Sequence, residues 1–302
     1  MTTTEQKSVS PRAWAELLTL GLLWGGSFFA IRIALDEIGP MTVVLHRTGW
    51  AMLVLWVVVL LRGLPVPRSP RIWAAFLVMG CLNNVIPFSL MAWGQLHIES
   101  GLTSIFNAAT AIFGVLLAAL FFADERLTLR KGVGVALGFA GVCVAIGIEA
   151  LMQFDIRSAA QIAVLAGALS YGFASVWGRA RLGALPPMVS AAGMLTGSTL
   201  LMIPLVLLTE GVPPLVMEAR TWGAIAYFSL AATALAYLIY WRVLAMAGSG
   251  NLMLVTLVIP PIAILLGAWG LGETLLPQAY AGFALLALGL VVIDGRLLRR
   301  LT

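Results

Sequence analysis

The chain is 302 residues long, 61% hydrophobic and only 10% charged, with a formal net charge of +5. A soluble protein usually carries about 25% charged residues to cover its surface, so this composition excludes an ordinary water-soluble enzyme and points to lipid as the solvent. The basic balance does not indicate nucleic acid, because the Lys and Arg residues stand singly between apolar runs, where they act as topology signals.

In chain order, ten apolar runs are predicted as helices: 14–35, 41–61, 71–93, 100–122, 131–149, 159–180, 187–208, 220–244, 250–271 and 277–295. The first is too long for a signal-peptide core and further runs follow at once, so it is expected to be retained as a span. Asp36-Glu37-Ile38-Gly39-Pro40 closes the first run, and Arg62-Gly63-Leu64-Pro65-Val66-Pro67-Arg68-Ser69-Pro70 separates the second from the third. Both are pure loop chemistry. The runs are continuous and roughly twice the length of the alternating segments of a transmembrane β-barrel. Helices, by contrast, satisfy their own backbone hydrogen bonds in lipid. Cys81 and Cys143 each lie inside an apolar run, and neither they nor the two histidines form a metal-binding pattern.

With the N-terminus placed in the cytoplasm, 14 of the 18 Lys and Arg residues fall on the cytoplasmic side. The exceptions are Arg32, Arg47, Arg157 and Arg220. This bias, with basic residues at both ends, predicts cytoplasmic termini and an even number of spans.

The halves echo each other. Phe113 to Thr128 is a small-residue helix that ends at Glu125 and leads into the glycine-rich Gly132 to Gly138; Pro261 to Leu275 ends at Glu273 and leads into Gly282 to Gly289. Five helices per half is an odd number, so the second half is expected upside down relative to the first. The predicted fold is an all-α polytopic membrane protein of ten transmembrane helices, built as two inverted five-helix repeats over 14–149 and 159–295. Such inverted repeats are common in secondary transporters, with the substrate near the midplane.

Particular residues carry a family resemblance. Trp24-Gly25-Gly26-Ser27-Phe28-Phe29-Ala30 stands in the first helix and His46-Arg47 opens the second. Glu125-Arg126-Leu127-Thr128 and Glu273-Thr274-Leu275 end helices in the two halves. On these the chain resembles the drug/metabolite transporter superfamily in its EamA-type ten-helix branch, from about Trp14 to Leu297, and within it looks most like the YddG-type bacterial amino-acid exporters. The resemblance implies export of small metabolites. One departure stands out: where the family often has a proline before the helix-end Glu in both halves, Pro260 fills the place in the second half but Ile112 in the first. The two halves are therefore expected to bend differently.

The residues expected to bind substrate are few polar groups set among aromatic walls. Asn83 and Asn84 lie mid-span with Pro87 one turn later, and proline frees a backbone carbonyl about one turn earlier. Carboxamides in hydrocarbon are costly unless they face the bundle interior; interhelical hydrogen bonding is the equally weighted alternative. Asn107 carries the same two readings. Trp24, Ser27 and Phe28 form a mixed face in the first helix, while Gly25 and Gly26 read as helix-packing positions. Phe88, Tyr171, Trp177, Tyr237, Tyr240 and Trp241 are the candidate aromatic wall. Arg47 and His46 are assigned to gating or structure, with snorkelling to the headgroups slightly favoured for Arg47. Pro260 joins Pro87 as a structural position, and Glu125 and Glu273 are expected to cap a turn or pair with an Arg.

No Asp or Glu falls at mid-depth in any run. That favours a neutral or zwitterionic cargo and facilitated diffusion over proton coupling. The expected function is export of neutral small metabolites, amino acids including aromatic ones among them, by alternating access, with a multidrug or cationic-compound exporter as the alternative. A lipid-acting enzyme or a channel would need clustered catalytic groups or a continuous polar lining, and neither is evident. The expectation is a multi-pass protein of the bacterial inner membrane with no cofactor, a small-molecule substrate, the bilayer as partner and no nucleic acid. The sequence does not set the oligomeric state; a monomer is slightly favoured.

Overall fold

The computed structural model describes residues 10–123, 127–146, 155–240, 242–243, 246 and 255–294. Among the described residues ten apolar helices follow one another: α1 Pro11–Ala34, α2 Pro40–Leu61, α3 Pro70–Gly94, α4 Ser100–Phe121, α5 Leu129–Ile146, α6 Ile156–Leu182, α7 Pro187–Thr209, α8 Ala219–Tyr240, α9 Val255–Leu271 and α10 Pro277–Asp294. Eight are long and apolar enough to cross a membrane, and α9 and α10 are shorter apolar helices. The boundaries come from residues that punctuate the chain. Pro11, Pro40, Pro70 and Pro187 occupy the first turns of their helices, where a missing N–H costs nothing. Gly63 and Gly211, just past the ends of α2 and α7, take φ of 58° and 83°, which favours glycine.

Packing is driven by small residues that let backbones meet, as expected where lipid removes the hydrophobic gain between helices. A Cβ on Gly141 would lie 2.5 Å from the Leu286 nitrogen and 2.6 Å from the Gly282 carbonyl, so α5 and α10 touch backbone to backbone. A Cβ on Gly80 would lie 2.6 Å from the Ser198 nitrogen, which joins α3 to α7 in the same way. Gly25 faces Ile262 of α9, and Gly26 lies under the Tyr227 hydroxyl, in keeping with their reading as packing positions.

Gly39, Glu99 and Glu218, at the N-caps of α2, α4 and α8, make no local side-chain cap. Distant carboxylates supply what is missing. Glu210, at the end of α7, accepts from the Met41 and Thr42 nitrogens at 2.8 Å each and from the Thr42 hydroxyl at 2.7 Å. Glu273 accepts from the Ser100 nitrogen at 2.9 Å, the Ser100 hydroxyl at 2.7 Å and the Gly101 nitrogen at 3.3 Å. Glu37 accepts from the Glu218 nitrogen at 3.1 Å. A negative group at a helix N-terminus satisfies orphan N–H groups and complements the dipole. Glu273 therefore caps the start of a distant helix, where the sequence predicts a cap on the turn that follows it or a pair with an Arg. Glu99 in turn makes a forked pair with Arg157 at 2.7 and 3.2 Å. Beside it, Asp155 caps α6 through the Ser158 N–H at 2.8 Å, which holds its carboxyl below the usual carboxylate range.

Replacing Glu273 by Ala is expected to destabilise the protein by about 1–2 kcal/mol, because three donors at the start of α4 lose their acceptor. The measurement is a thermal midpoint in detergent. An unchanged midpoint would show that water replaces the carboxylate at no cost.

Candidate functional site

Two helices change register at mid-bundle. In α3 the stretch Cys81–Val85 is π-helical, immediately before Pro87. Proline has no N–H to donate, and in this register its missing partner is the Leu82 carbonyl. The Ser170 hydroxyl of α6 donates to that carbonyl at 2.7 Å. The freed acceptor is thus at Leu82, beside the position expected near Asn83, and it is already satisfied. In α8 the π-helical stretch is Tyr227–Leu235, where the Thr233 hydroxyl donates to the Phe228 carbonyl at 2.8 Å.

These two stretches place the polar groups of the site. The Asn84 side chain is fully buried and donates to the Ser198 hydroxyl of α7 at 2.7 Å. Asn83 is half-buried, and its amide donates to the Asn84 carbonyl at 3.2 Å and, weakly, to the Tyr237 hydroxyl at 3.4 Å. Of the two carboxamides, only Asn83 keeps accessible surface.

Arg47 corrects an expectation. It lies seven residues into α2, about 10 Å below the helix start at 1.5 Å per residue, and snorkelling to headgroups was favoured for it. Its side chain instead turns inward and is only 8% exposed. The Nε donates to the Thr233 hydroxyl at 3.0 Å, and the guanidinium sits 4.1 Å over the Phe88 ring. Phe88 in turn meets Tyr171 edge-on with ring centroids 6.4 Å apart. Tyr171 and Tyr237 both stand near Arg47. Asn83, Phe88, Tyr171 and Tyr237 each retain some accessible surface, and the two tyrosines sit deep in the bundle.

The other sequence candidates are more scattered. Trp24 and Tyr240 are half-buried neighbours with ring centroids 6.1 Å apart. Ser27 and Phe28 are buried, with the Ser27 hydroxyl spent on the Trp24 carbonyl at 2.7 Å. Trp177 donates to the Ala75 carbonyl at 3.1 Å and lies beneath Arg181. His46 accepts from the Trp50 indole at 3.1 Å and meets Trp222 edge-on, on another face of α2 from Arg47. Asn107 is half-buried with its carbonyl oxygen buried and unpartnered. It adjoins the Ala108–Ala109 turn that divides α4 into Ser100–Asn107 and Thr110–Phe121. Pro260 is buried inside an unbroken α9. The halves do differ, but the helix without proline is the broken one. Trp241 and Glu125 lie outside the described residues.

Sequence reasoning missed Thr233, Ser198 and Ser170. Their only signal is a lone hydroxyl in an apolar run, and Ser and Thr often bond to their own helix. Among the described residues no group of three or more His, Cys, Asp or Glu can hold a metal. The site offers a cation, carboxamide and phenol groups, and aromatic faces. It suits binding a small polar molecule with an apolar part and lacks a nucleophile paired with a base. A separate groove of about 440 Å³ between α2, α3 and α7, walled by Val85, Leu90 and Leu205, is almost entirely apolar.

A model of the EamA-like transporter family matches the chain twice, over residues 13–147 and 158–294. The chain belongs to the EamA-like transporter family. This EamA-like protein is a multi-pass membrane transporter of small molecules, not an enzyme. It is 28% identical over 97% of its length, and 96% of the relative's, to a probable terminal-alkyne amino-acid exporter of Streptantibioticus cattleyicolor. It is 26% identical to the inner membrane transporter YedA of Escherichia coli, covering 91% of this chain and 87% of YedA. An uncharacterised transporter of Archaeoglobus fulgidus is 24% identical, with 93% of this chain and 98% of the relative covered. A chain of known crystal structure superposes with a TM-score of 0.69 at 22% identity, covering 96% of this chain and 98% of its own length, which shows the shared fold.

Proposed function

We propose that this EamA-like transporter exports neutral small metabolites, amino acids including aromatic ones, by alternating access across a bacterial inner membrane, in the manner of the YddG-type exporters. The observation that carries the reading is the mid-bundle cluster of Asn83, Phe88, Tyr171 and Tyr237 around Arg47, which pairs aromatic faces with a few hydrogen-bonding groups. The similarity to a probable amino-acid exporter supports it. A cationic cargo would meet the Arg47 charge with no acidic side chain among the described residues of the cluster to offset it, so the same observation opposes the cation-exporter alternative.

Counterflow in proteoliposomes loaded with phenylalanine tests the reading. Labelled phenylalanine and other neutral amino acids are expected to accumulate transiently, and tetraphenylphosphonium is not. Absence of exchange for every amino acid in the panel would sink it. Transport is proposed to be facilitated diffusion, so an imposed pH gradient should not drive sustained accumulation.

The proposed architecture is two inverted five-helix repeats, 14–149 and 159–295, with both tails cytoplasmic. The double family match and the π-helical stretch in the third helix of each half support the repeat, and the Lys/Arg bias supports the orientation. Reporter fusions at both ends are expected to read cytoplasmic, and a periplasmic C-terminus would overturn the topology.

A further inference from the structure

We propose that the Arg47 guanidinium is a carboxylate receptor, and that the transporter selects cargo by its carboxylate while placing no demand on an amine. The proposal rests on the cluster of the export reading being the transport site, and it widens the cargo from neutral and zwitterionic metabolites to monocarboxylate anions.

A buried guanidinium without a counter-anion is costly in any low-dielectric interior, and more so inside a bilayer. Arg47 is such a group. Among the described residues it makes no ion pair: the paired acidic side chains Glu16, Asp36 and Glu99 are engaged by other arginines. Glu37, Glu210 and Glu273 are committed to helix N-termini. The Thr233 hydroxyl takes the Nε alone, and it is itself held by the Phe228 carbonyl. Phe88 takes one face of the guanidinium plane. The Nη groups have no hydrogen-bond acceptor among the described residues, and they are not among the sealed, unpartnered atoms of the interior. They therefore keep accessible surface and remain open donors beside Tyr171 and Tyr237.

A planar fork of N–H groups fits a carboxylate in bidentate fashion, and the charge-assisted pair is strong in this setting. The neighbouring carboxamide and phenols can support the same anion. For an ammonium group the site provides only neutral oxygens and aromatic faces, alongside a fixed positive charge. A simple monocarboxylate neutralises Arg47 completely, whereas an amino-acid zwitterion brings a second cation with it. The substrate class is accordingly organic monocarboxylates with an apolar or aromatic side chain. Amino acids belong to it by virtue of their carboxylate.

The test is ligand binding to the purified full-length protein, read as thermal stabilisation and as competition in counterflow. The probes are 3-phenylpropanoate, phenylalanine, phenylalaninamide and phenethylamine. The expected result is that 3-phenylpropanoate binds at least as tightly as phenylalanine, while the two amines without a carboxylate do not bind. In Arg47→Gln, carboxylate affinity is expected to fall roughly ten- to a hundredfold, the loss of one or two charged hydrogen bonds, and Arg47→Lys should keep part of it. The wild-type probe series is decisive even if the glutamine variant does not fold. Phenethylamine binding as tightly as phenylalanine, no binding of 3-phenylpropanoate, or unchanged carboxylate affinity in a folded Arg47→Gln protein would each overturn the proposal. The two readings can fail separately. Carboxylate binding at Arg47 without amino-acid counterflow would sink amino-acid export alone, and amino-acid counterflow undiminished in Arg47→Gln would sink the receptor alone.

Discussion

Gly141→Leu is expected to abolish recovery of monodisperse, folded protein. The α5–α10 contact is backbone on backbone along a row of glycines. The Cβ of residue 141 would lie 2.5 Å from the Leu286 nitrogen, and the reciprocal Cβ at Gly282 would lie 2.6 Å from both the Ala145 nitrogen and the Gly141 carbonyl. Further along, a Cβ at Gly289 would lie 2.6 Å from the Gly134 carbonyl and 2.7 Å from the Gly138 nitrogen. Backbone cannot rotate away as a flexible side chain can, so the helices must separate. Separation costs the dispersion contacts of the entire face, and the expected loss is about 3 kcal/mol or more. Gly114→Leu is the control, because a Cβ there meets nothing within 4 Å. Size-exclusion profiles of the two variants read the difference directly. Equal recovery would mean that α5 and α10 contribute little to holding the bundle together.

Asn83→Ala and Asn84→Ala are expected to fail in different ways, although the residues are adjacent. Asn84 is fully buried and ties α3 to α7 through Ser198. Truncating it should lower the thermal midpoint by the loss of about 1 kcal/mol, the scale of an interhelical hydrogen bond in a membrane. Asn83 makes only long bonds, at 3.2 and 3.4 Å, and keeps part of its surface open to the cluster around Arg47. Its removal should leave the midpoint nearly unchanged while transport, measured as kcat/KM in counterflow, falls about tenfold or more, the equivalent of one lost hydrogen bond to cargo. The reverse pattern would exchange the two assignments. Full transport by a stable Asn83→Ala protein would remove Asn83 from the site.

The adjacent asparagines also mark how far reading along the chain can go. Their presence in an apolar run was enough to show that both turn away from lipid. Which one ties helices together and which one faces open space depends on the π-helical register of Cys81–Val85 and on where Ser198 stands, 114 residues away. Pro87 announced that a carbonyl would be freed, but the wider register moved it to Leu82, and Ser170 of another helix took it up.

The sequence by itself determined the solvent, the number of apolar runs and most of their ends. Lipid requires about 20 apolar residues per span, and proline and glycine act on the residues next to them, so both signals are local. The family was also legible, from short motifs in α1 and α2 and at the ends of α4 and α9. Tertiary structure alone decided the direction of Arg47. An arginine about 10 Å below a helix start is long enough to snorkel outward or fold inward, and only Thr233, 186 residues away, and Phe88 make the inward course favourable. Tertiary structure likewise supplied Glu210 to Thr42 across 168 residues and Glu273 to Ser100 across 173, completing helix ends that have no local cap. It also left proline-containing α9 unbroken and α4 broken at Ala108–Ala109. In each case the deciding partner comes from a segment brought near only by folding, so the free energy of the choice is a property of the packed bundle and not of the local chain.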